Sequence, residues 1–432
     1  MRCKNIKNTI YGYIPTNWEM MKIIDYTTLV TDYVANGSFA SLKKNVQYKK
    51  EEDYAVMIRL VDYNSNYNKN FVFIGKDSYN FLRKSKLYGN EIIISNVGAN
   101  VGTIFKCPKL KYKMSLAPNS IMMKTKGYAD FYFYWLKSKF GQFAIKSIVS
   151  GSAQPKFNKT DFRSLKIPVP PLQEQKAIAA TLSCLDDKIE LNNRMNQTLE
   201  EMAQAIFKSW FVDFDPFQDG EFVDSKLGRI PKGWGVGRLD DFFDISIGKT
   251  PPRKESQWFT KNKKDVNWVS ISDMGKSGVY VFKTAEKLTE EAIKKFRIKT
   301  VPENTVLLSF KLTVGRVSFT NHEMVTNEAI AHIKTKDKTI NEYLYCYLKS
   351  FNYERLGNTS SIAKAVNSKV IKAMPIIIPN GGILEKYNNI ASELFLQIKK
   401  NETQNHLLKQ LRNTLLPKLM SGEVRVPIPE VD

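Results

Sequence analysis

The chain has 432 residues, which alone suggests about three domains, and carries 65 Lys and Arg against 43 Asp and Glu, a net charge of +22. With 43% hydrophobic and 12% aromatic residues it can build real cores, so wholesale disorder is excluded. Its longest apolar runs, such as Phe131–Leu136, fall far short of the roughly 20 residues of a membrane span, and the N-terminus leads into no apolar signal segment.

The four cysteines, Cys3, Cys107, Cys184 and Cys346, form no CxxC pair, and the three histidines, His322, His332 and His406, form no HExxH. Neither a disulfide framework nor a common zinc site is expected, and a reducing, cytoplasmic setting fits. The cationic surplus asks for a polyanionic partner. The lysines are spread over globular stretches among Tyr, Asn, Ser and Gly rather than gathered on one basic amphipathic helix. That dispersal favours nucleic acid over an anionic membrane surface.

In chain order, Gly12-Tyr13-Ile14-Pro15-Thr16-Asn17-Trp18 comes first, and it recurs half a chain later as Gly228-Arg229-Ile230-Pro231-Lys232-Gly233-Trp234. Short strands are predicted at Tyr54–Leu60, Glu91–Ser95 and Thr305–Ser309, bounded by Gly, Asn and Pro. Three more stretches pair off in the same order. Ile94–Gly102 matches Leu308–Gly315, Tyr134–Ser138 matches Cys346–Ser350, and Ile167–Pro170 matches Ile376–Pro379. Four ordered matches make an internal duplication.

After Pro170-Pro171 a long helix is predicted. Its three-four spacing runs Leu182, Leu185, Ile189, Asn192, Asn196, Leu199, Ala203, Ile206, Trp210. The second copy reads Ala391, Leu394, Ile398, Asn401, Asn405, Leu408, Arg412, Leu415, Leu419. Sustained seam apolarity predicts a coiled coil, and the coinciding asparagines (Asn192, Asn196, Asn401, Asn405) would fix the register of one helix on the other. Arg412 is the outlier, and Pro417 predicts a helix end before Leu419. A helix from Leu172 to Trp210 would be ~57 Å long at 1.5 Å per residue. Two similar modules on such a rod suit two half-sites on one duplex.

The stretch Ile167-Pro168-Val169-Pro170-Pro171-Leu172-Gln173-Glu174-Gln175, then the long helix, then Trp210-Phe211-Val212-Asp213-Phe214-Asp215-Pro216-Phe217, resembles the specificity (S) subunit of type I restriction-modification systems. Gly248-Lys249-Thr250-Pro251 and Gly151-Ser152-Ala153-Gln154 add to the likeness. The resemblance implies an α+β fold: two similar globular target-recognition domains of mixed helix and strand, separated by two long antiparallel coiled-coil helices in a pseudo-two-fold arrangement. The expected divisions are 1–168 and 216–379 for the recognition domains, with 169–215 and 380–432 for the spacer helices. It implies a non-catalytic subunit whose domains each read one half of a bipartite DNA target, while the helices set the spacer and dock two methylase (M) subunits. Adenine methylation with S-adenosylmethionine, and cleavage with ATP and Mg by restriction (R) subunits, would belong to those partners. The copies differ, since the second has Pro379-Asn380-Gly381-Gly382 where the first has Pro-Pro-Leu-Gln-Glu-Gln.

The rival reading is a self-contained DNA methyltransferase or nuclease of a related restriction-modification class. Gly248-Lys249-Thr250 ends like a P-loop, but Phe243 stands where the motif needs glycine. Asp215-Pro216-Phe217 lacks the second proline of the methyltransferase Asp-Pro-Pro-Tyr. No catalytic, cofactor or metal residue is therefore assigned.

DNA-facing loops need cations for phosphate and planar amides for bases. Those residue types select Lys43, Lys44, Asn96, Asn100, Ser152, Gln154 and Lys156 in the first copy. In the second they select Lys249, Thr250, Arg253, Lys254, Lys311, Arg316, Ser360 and Lys364. Glu174, Gln175 and Lys176, expected to be exposed on the first helix, are the candidates for methylase contact.

Overall fold

The computed structural model describes residues 5–68, 70–356 and 367–427. The chain forms two compact units. Unit one is 1–187 with 408–432, and unit two is 188–407. Two helices of 40 residues each, Leu172–Phe211 and Gly381–Met420, contribute to both.

Unit one is built on two sheets. The first orders its strands Ile104–Lys106, Ile92–Ser95, Ser120–Thr125, Thr27–Asp32, all antiparallel. The second orders Tyr48–Lys49, Val72–Ile74, Ala55–Ile58, Lys113–Leu116, Lys86–Leu87, with one parallel pair at its centre. The central strands are buried end to end, which is why they read as unbroken apolar runs rather than alternating ones. A hairpin, Ile6–Thr9 with Gly12–Pro15, and the pair Glu19–Lys22 with Lys166–Val169 complete the unit.

Unit two repeats this topology. Its first sheet runs Asp244–Ile247, Ile330–Lys334, Val306–Ser309, Val317–Thr320, with Tyr280–Val281 added at the edge. Its second runs Phe259–Thr260, Glu286–Leu288, Val266–Val269, Val325–Thr326, again with one parallel pair. The hairpin Phe222–Ser225 with Gly228–Pro231 and the pair Gly235–Arg238 with Pro375–Ile378 recur in the same places. Even the register repeats: Ile94 faces Ile121 as Leu308 faces Ala331. Gly102 and Gly315 close equivalent turns, both at φ 88°, each donating its N–H to the serine that ends the strand before it. A side chain at that φ would be strained.

The long helices pack antiparallel within each unit. In unit two Asn192 Nδ2 donates to Asn405 Oδ1 at 2.9 Å, and Asn401 Nδ2 donates to Asn196 Oδ1 at 2.8 Å. In unit one Arg412 pairs with Asp186, which also accepts from Tyr134 Oη at 2.9 Å. This explains the odd seam residue: a cation there finds a carboxylate on the facing helix. None of the eighteen seam positions is exposed. The fold is thus the expected class, two similar α+β units joined by paired long helices.

One expectation is corrected. The second helix continues through Pro417 to Met420. Pro417 cannot bond the Asn413 carbonyl and its ring crowds it, and burial of Leu419 and Met420, 2% and 1% exposed in the core of unit one, offsets that cost and holds the last turn.

His332 lies in the middle of unit two, between Ser246 Oγ at 3.2 Å and Thr326 Oγ1 at 2.6 Å. Burial pulls its pKa down to about 3, and the charges of Lys334 and Lys299 act the same way. The folded chain therefore refuses a proton that the unfolded chain accepts below about pH 6.5. His332 costs no stability above that pH. As pH falls from about 6.5 toward 3, it should lose about 1.4 kcal/mol per unit. Urea unfolding of His332→Gln, compared with wild type at pH 7 and pH 5, should show a flatter pH dependence. An unchanged dependence would assign the acid sensitivity elsewhere.

Candidate nucleic-acid interface

Several selected residues of unit one meet in space. The turn after Ile92–Ser95 and the loop before Lys159–Ser164 lie against each other. Gly98 N–H donates to Pro155 O at 2.8 Å, Val97 bridges to Lys156, and Lys156 exchanges backbone bonds with Ser150. This brings Asn96 and Asn100 beside Ser152, Gln154 and Lys156. All but Asn96 are exposed. Asn96 is half-buried, because its Nδ2 donates to Phe157 O at 3.0 Å.

Beside this loop pair is a cleft of about 530 Å³. Asn96, Lys43, Tyr33, Tyr48 and Phe39 line it. Lys43 and Lys44 stand exposed in the last turn of the short helix Phe39–Asn45, which Ser38 caps through its hydroxyl. Phe39 opens that helix and is 81% exposed. An exposed phenylalanine flanked by cations can stack on a base. Sequence reasoning missed it because an isolated apolar residue reads as core. The only signal was its place immediately after a helix cap, among polar neighbours.

In unit two the selected residues split. Lys249 Nζ donates to Phe296 O at 3.3 Å and to Arg297 O at 3.5 Å, tying its loop to the end of the helix Glu290–Lys295. Thr250 donates to Glu328. Arg253 stacks over Phe259 and Trp268, 4.3 and 4.5 Å from the ring centroids, and pairs with Glu286 at 2.8 Å. Its guanidinium stays partly open to solvent, and Lys254 beside it is exposed. Lys311 is half-buried over Phe310. Arg316 is half-buried, and its Nη1 donates to Ile271 O at 2.6 Å beside Gly275. Ser360 and Lys364 lie outside the described residues.

The expectation that Glu174 and Gln175 stand exposed is also corrected. Glu174 is 1% exposed and Gln175 fully buried. Glu174 Oε2 accepts from Trp18 Nε1 at 3.0 Å and from Arg425 Nη2 at 2.9 Å, and its Oε1 lies 2.5 Å from Arg425 Nε. Gln175 Oε1 accepts from Tyr128 N, while its Nε2 donates to Pro170 O and Tyr26 Oη. Both side chains tie the helix start to the globular part of unit one, and only Lys176 faces solvent. Trp210, Phe211 and Phe214 likewise turn inward, onto Trp234, Tyr343 and Tyr387.

Among the described residues no group of His, Cys, Asp and Glu could hold a metal ion, and no helix is long and apolar enough to cross a membrane.

Comparison with known proteins places this arrangement. The profile of the type I restriction modification DNA specificity domain matches twice, over residues 15–201 and 231–413. The MjaIX specificity subunit of a type I restriction enzyme from Methanocaldococcus jannaschii is 29% identical, over 97% of this chain and 96% of its own length. The HindI specificity subunit from Haemophilus influenzae is 27% identical, over 62% of this chain and 71% of its own. The crystal structure of a type I restriction-modification S subunit from M. genitalium shares the fold. Its TM-score is 0.53 at 16% identity, over 96% of this chain and 97% of that one. The chain belongs to the type I restriction modification DNA specificity family and carries two copies of its domain.

Proposed function

We propose that this chain is the DNA-recognition subunit of a type I restriction-modification complex, with each unit reading one half of a bipartite target. The observation that carries the reading is the duplicated topology, the same pair of sheets built once in each unit. The net charge of +22 and the exposed cations and amides of unit one support DNA as the ligand. The chemistry is assigned to partners: methylase subunits with S-adenosylmethionine, and restriction subunits with ATP and Mg.

The helices would set the gap between half-sites and present the docking surface. Leu191, Met195 and Met202 are 46%, 38% and 47% exposed on the first helix, spaced to share one face. Leu396, Leu407 and Leu411 are 43%, 58% and 46% exposed on the second. Apolar side chains at such spacing suit a partner helix. They replace Glu174 and Gln175 as methylase contacts, and Lys176 stays a separate candidate at the start of the first helix.

Sequencing of methylated adenines in cells carrying this chain with its methylase partner tests the reading. The expected motif has two short specified blocks separated by unspecified bases. A continuous motif would contradict it.

A further inference from the structure

Six cations from four parts of unit one converge on a second cleft, of about 350 Å³. Arg83 and Lys84 come from one turn and Lys86 from the short strand after it. Lys124 comes from the end of a central strand, and Lys159 and Arg163 from the short helix Lys159–Ser164. The sequence alone selects none of them, because no two of these parts are neighbours except the first pair.

Two of the cations are answered. Lys124 Nζ is 3.3 Å from Glu91 Oε1, and Lys159 Nζ is 3.0 Å from Asp32 Oδ1. The other four have no carboxylate partner among the described residues. Lys86 Nζ sits 4.4 Å from the Tyr79 ring centroid. Arg163 spends Nη2 on Val30 O and leaves its Nε buried without an acceptor. Four unanswered positive charges around one cleft repel each other, and an anion in the cleft would relieve that repulsion.

The duplication supplies an independent observation. Strand register makes Lys334 the counterpart of Lys124, because each stands one position beyond the residues facing the same two central strands. Arg163 and Lys372 are each the fifth residue after a capping asparagine, Asn158 or Asn367, which accepts from the backbone N–H three residues on. The equivalent face of unit two thus keeps two cations, Lys334 and Lys372, with Asp244 opposite Lys334 across the strand pair.

We propose that this face in each unit seats the sugar–phosphate backbone of duplex DNA. Arg83, Lys84, Lys86 and Arg163 hold phosphates in unit one, and Lys334 and Lys372 hold them in unit two. The proposal rests on the DNA-reading function above and deepens it: these cations position the duplex, while the loops around Asn96 and Gln154 read it. A membrane surface fits less well, since the cations sit on strands and turns with no apolar anchor helix among them.

The test is titration of the full chain with a mixed-sequence DNA duplex over a series of salt concentrations. Arg83→Gln/Lys84→Gln and Lys334→Gln/Lys372→Gln are each compared with wild type. Arg83 and Lys84 are exposed, Lys334 and Lys372 half-buried, and a wild-type melting profile checks that each variant folds. Each pair should make the slope of log K against log salt shallower by about 0.9 for every phosphate the variant no longer neutralises. Slopes equal to wild type, with wild type itself binding steeply, would overturn this inference and leave the specificity function standing. A wild-type chain whose binding ignores salt would instead sink the DNA-reading function.

Discussion

Glu174→Ala should destabilise unit one by about 3 kcal/mol. The carboxylate is buried and holds two partners, Trp18 and Arg425. Removing it leaves the Trp18 N–H in a fully buried site without an acceptor, at about 1–3 kcal/mol. Breaking a buried ion pair by deleting one partner typically costs about 3–5 kcal/mol. Arg425 keeps 29% of its side chain in solvent and can rehydrate, which places the total at the low end of that range. Glu174→Gln keeps an acceptor for Trp18 and loses only the charge on Arg425, so about half the effect is expected. Lys176→Ala, two residues on and exposed, should change stability by less than about 0.5 kcal/mol. Urea unfolding of the three variants gives the ranking. A Glu174→Ala chain as stable as Lys176→Ala would refute the bracing role.

The contrast between those neighbours shows where the sequence is legible. The helix pair can be read because its seam is local and periodic: apolar spacing repeats along each helix, and two asparagines fall at the same step of both. The duplication can be read because turn glycines and strand runs survive divergence, as at Gly102 and Gly315. Glu174 is misread because its partners lie 156 and 251 residues away, and a polar residue at a helix start looks solvated until those partners are known. Arg316 misleads in the same way. A cation in a glycine-bounded loop reads as exposed, yet it is half-buried with one N–H held by the Ile271 carbonyl. The cationic face is invisible for the opposite reason, since its charges are single residues on separate elements and only the register of the sheets assembles them.

The prediction with the largest functional effect concerns division of labour. In the proposed reading, residues 1–168 supply the candidate DNA-facing loops of unit one, while the chain after them supplies the helices and the 421–427 segment that brace it. The junction falls in the strand Lys166–Val169, which pairs with Glu19–Lys22, so the strand partner moves with the exchanged segment. Trp18, Tyr26 and Tyr128 must still meet Glu174 and Gln175 on the retained helix. The donor relative must therefore keep a tryptophan at the first of these positions, or the chimera loses the brace described above. With that condition met, the recognition surface of unit two is untouched.

Exchange of residues 1–168 for the same region of a relative, followed by mapping of methylated adenines, tests the central claim most directly. One block of the motif should change to that of the donor, while the other block and the gap stay as they were. A change in both blocks, or in neither, would contradict two independent readers on one helix pair.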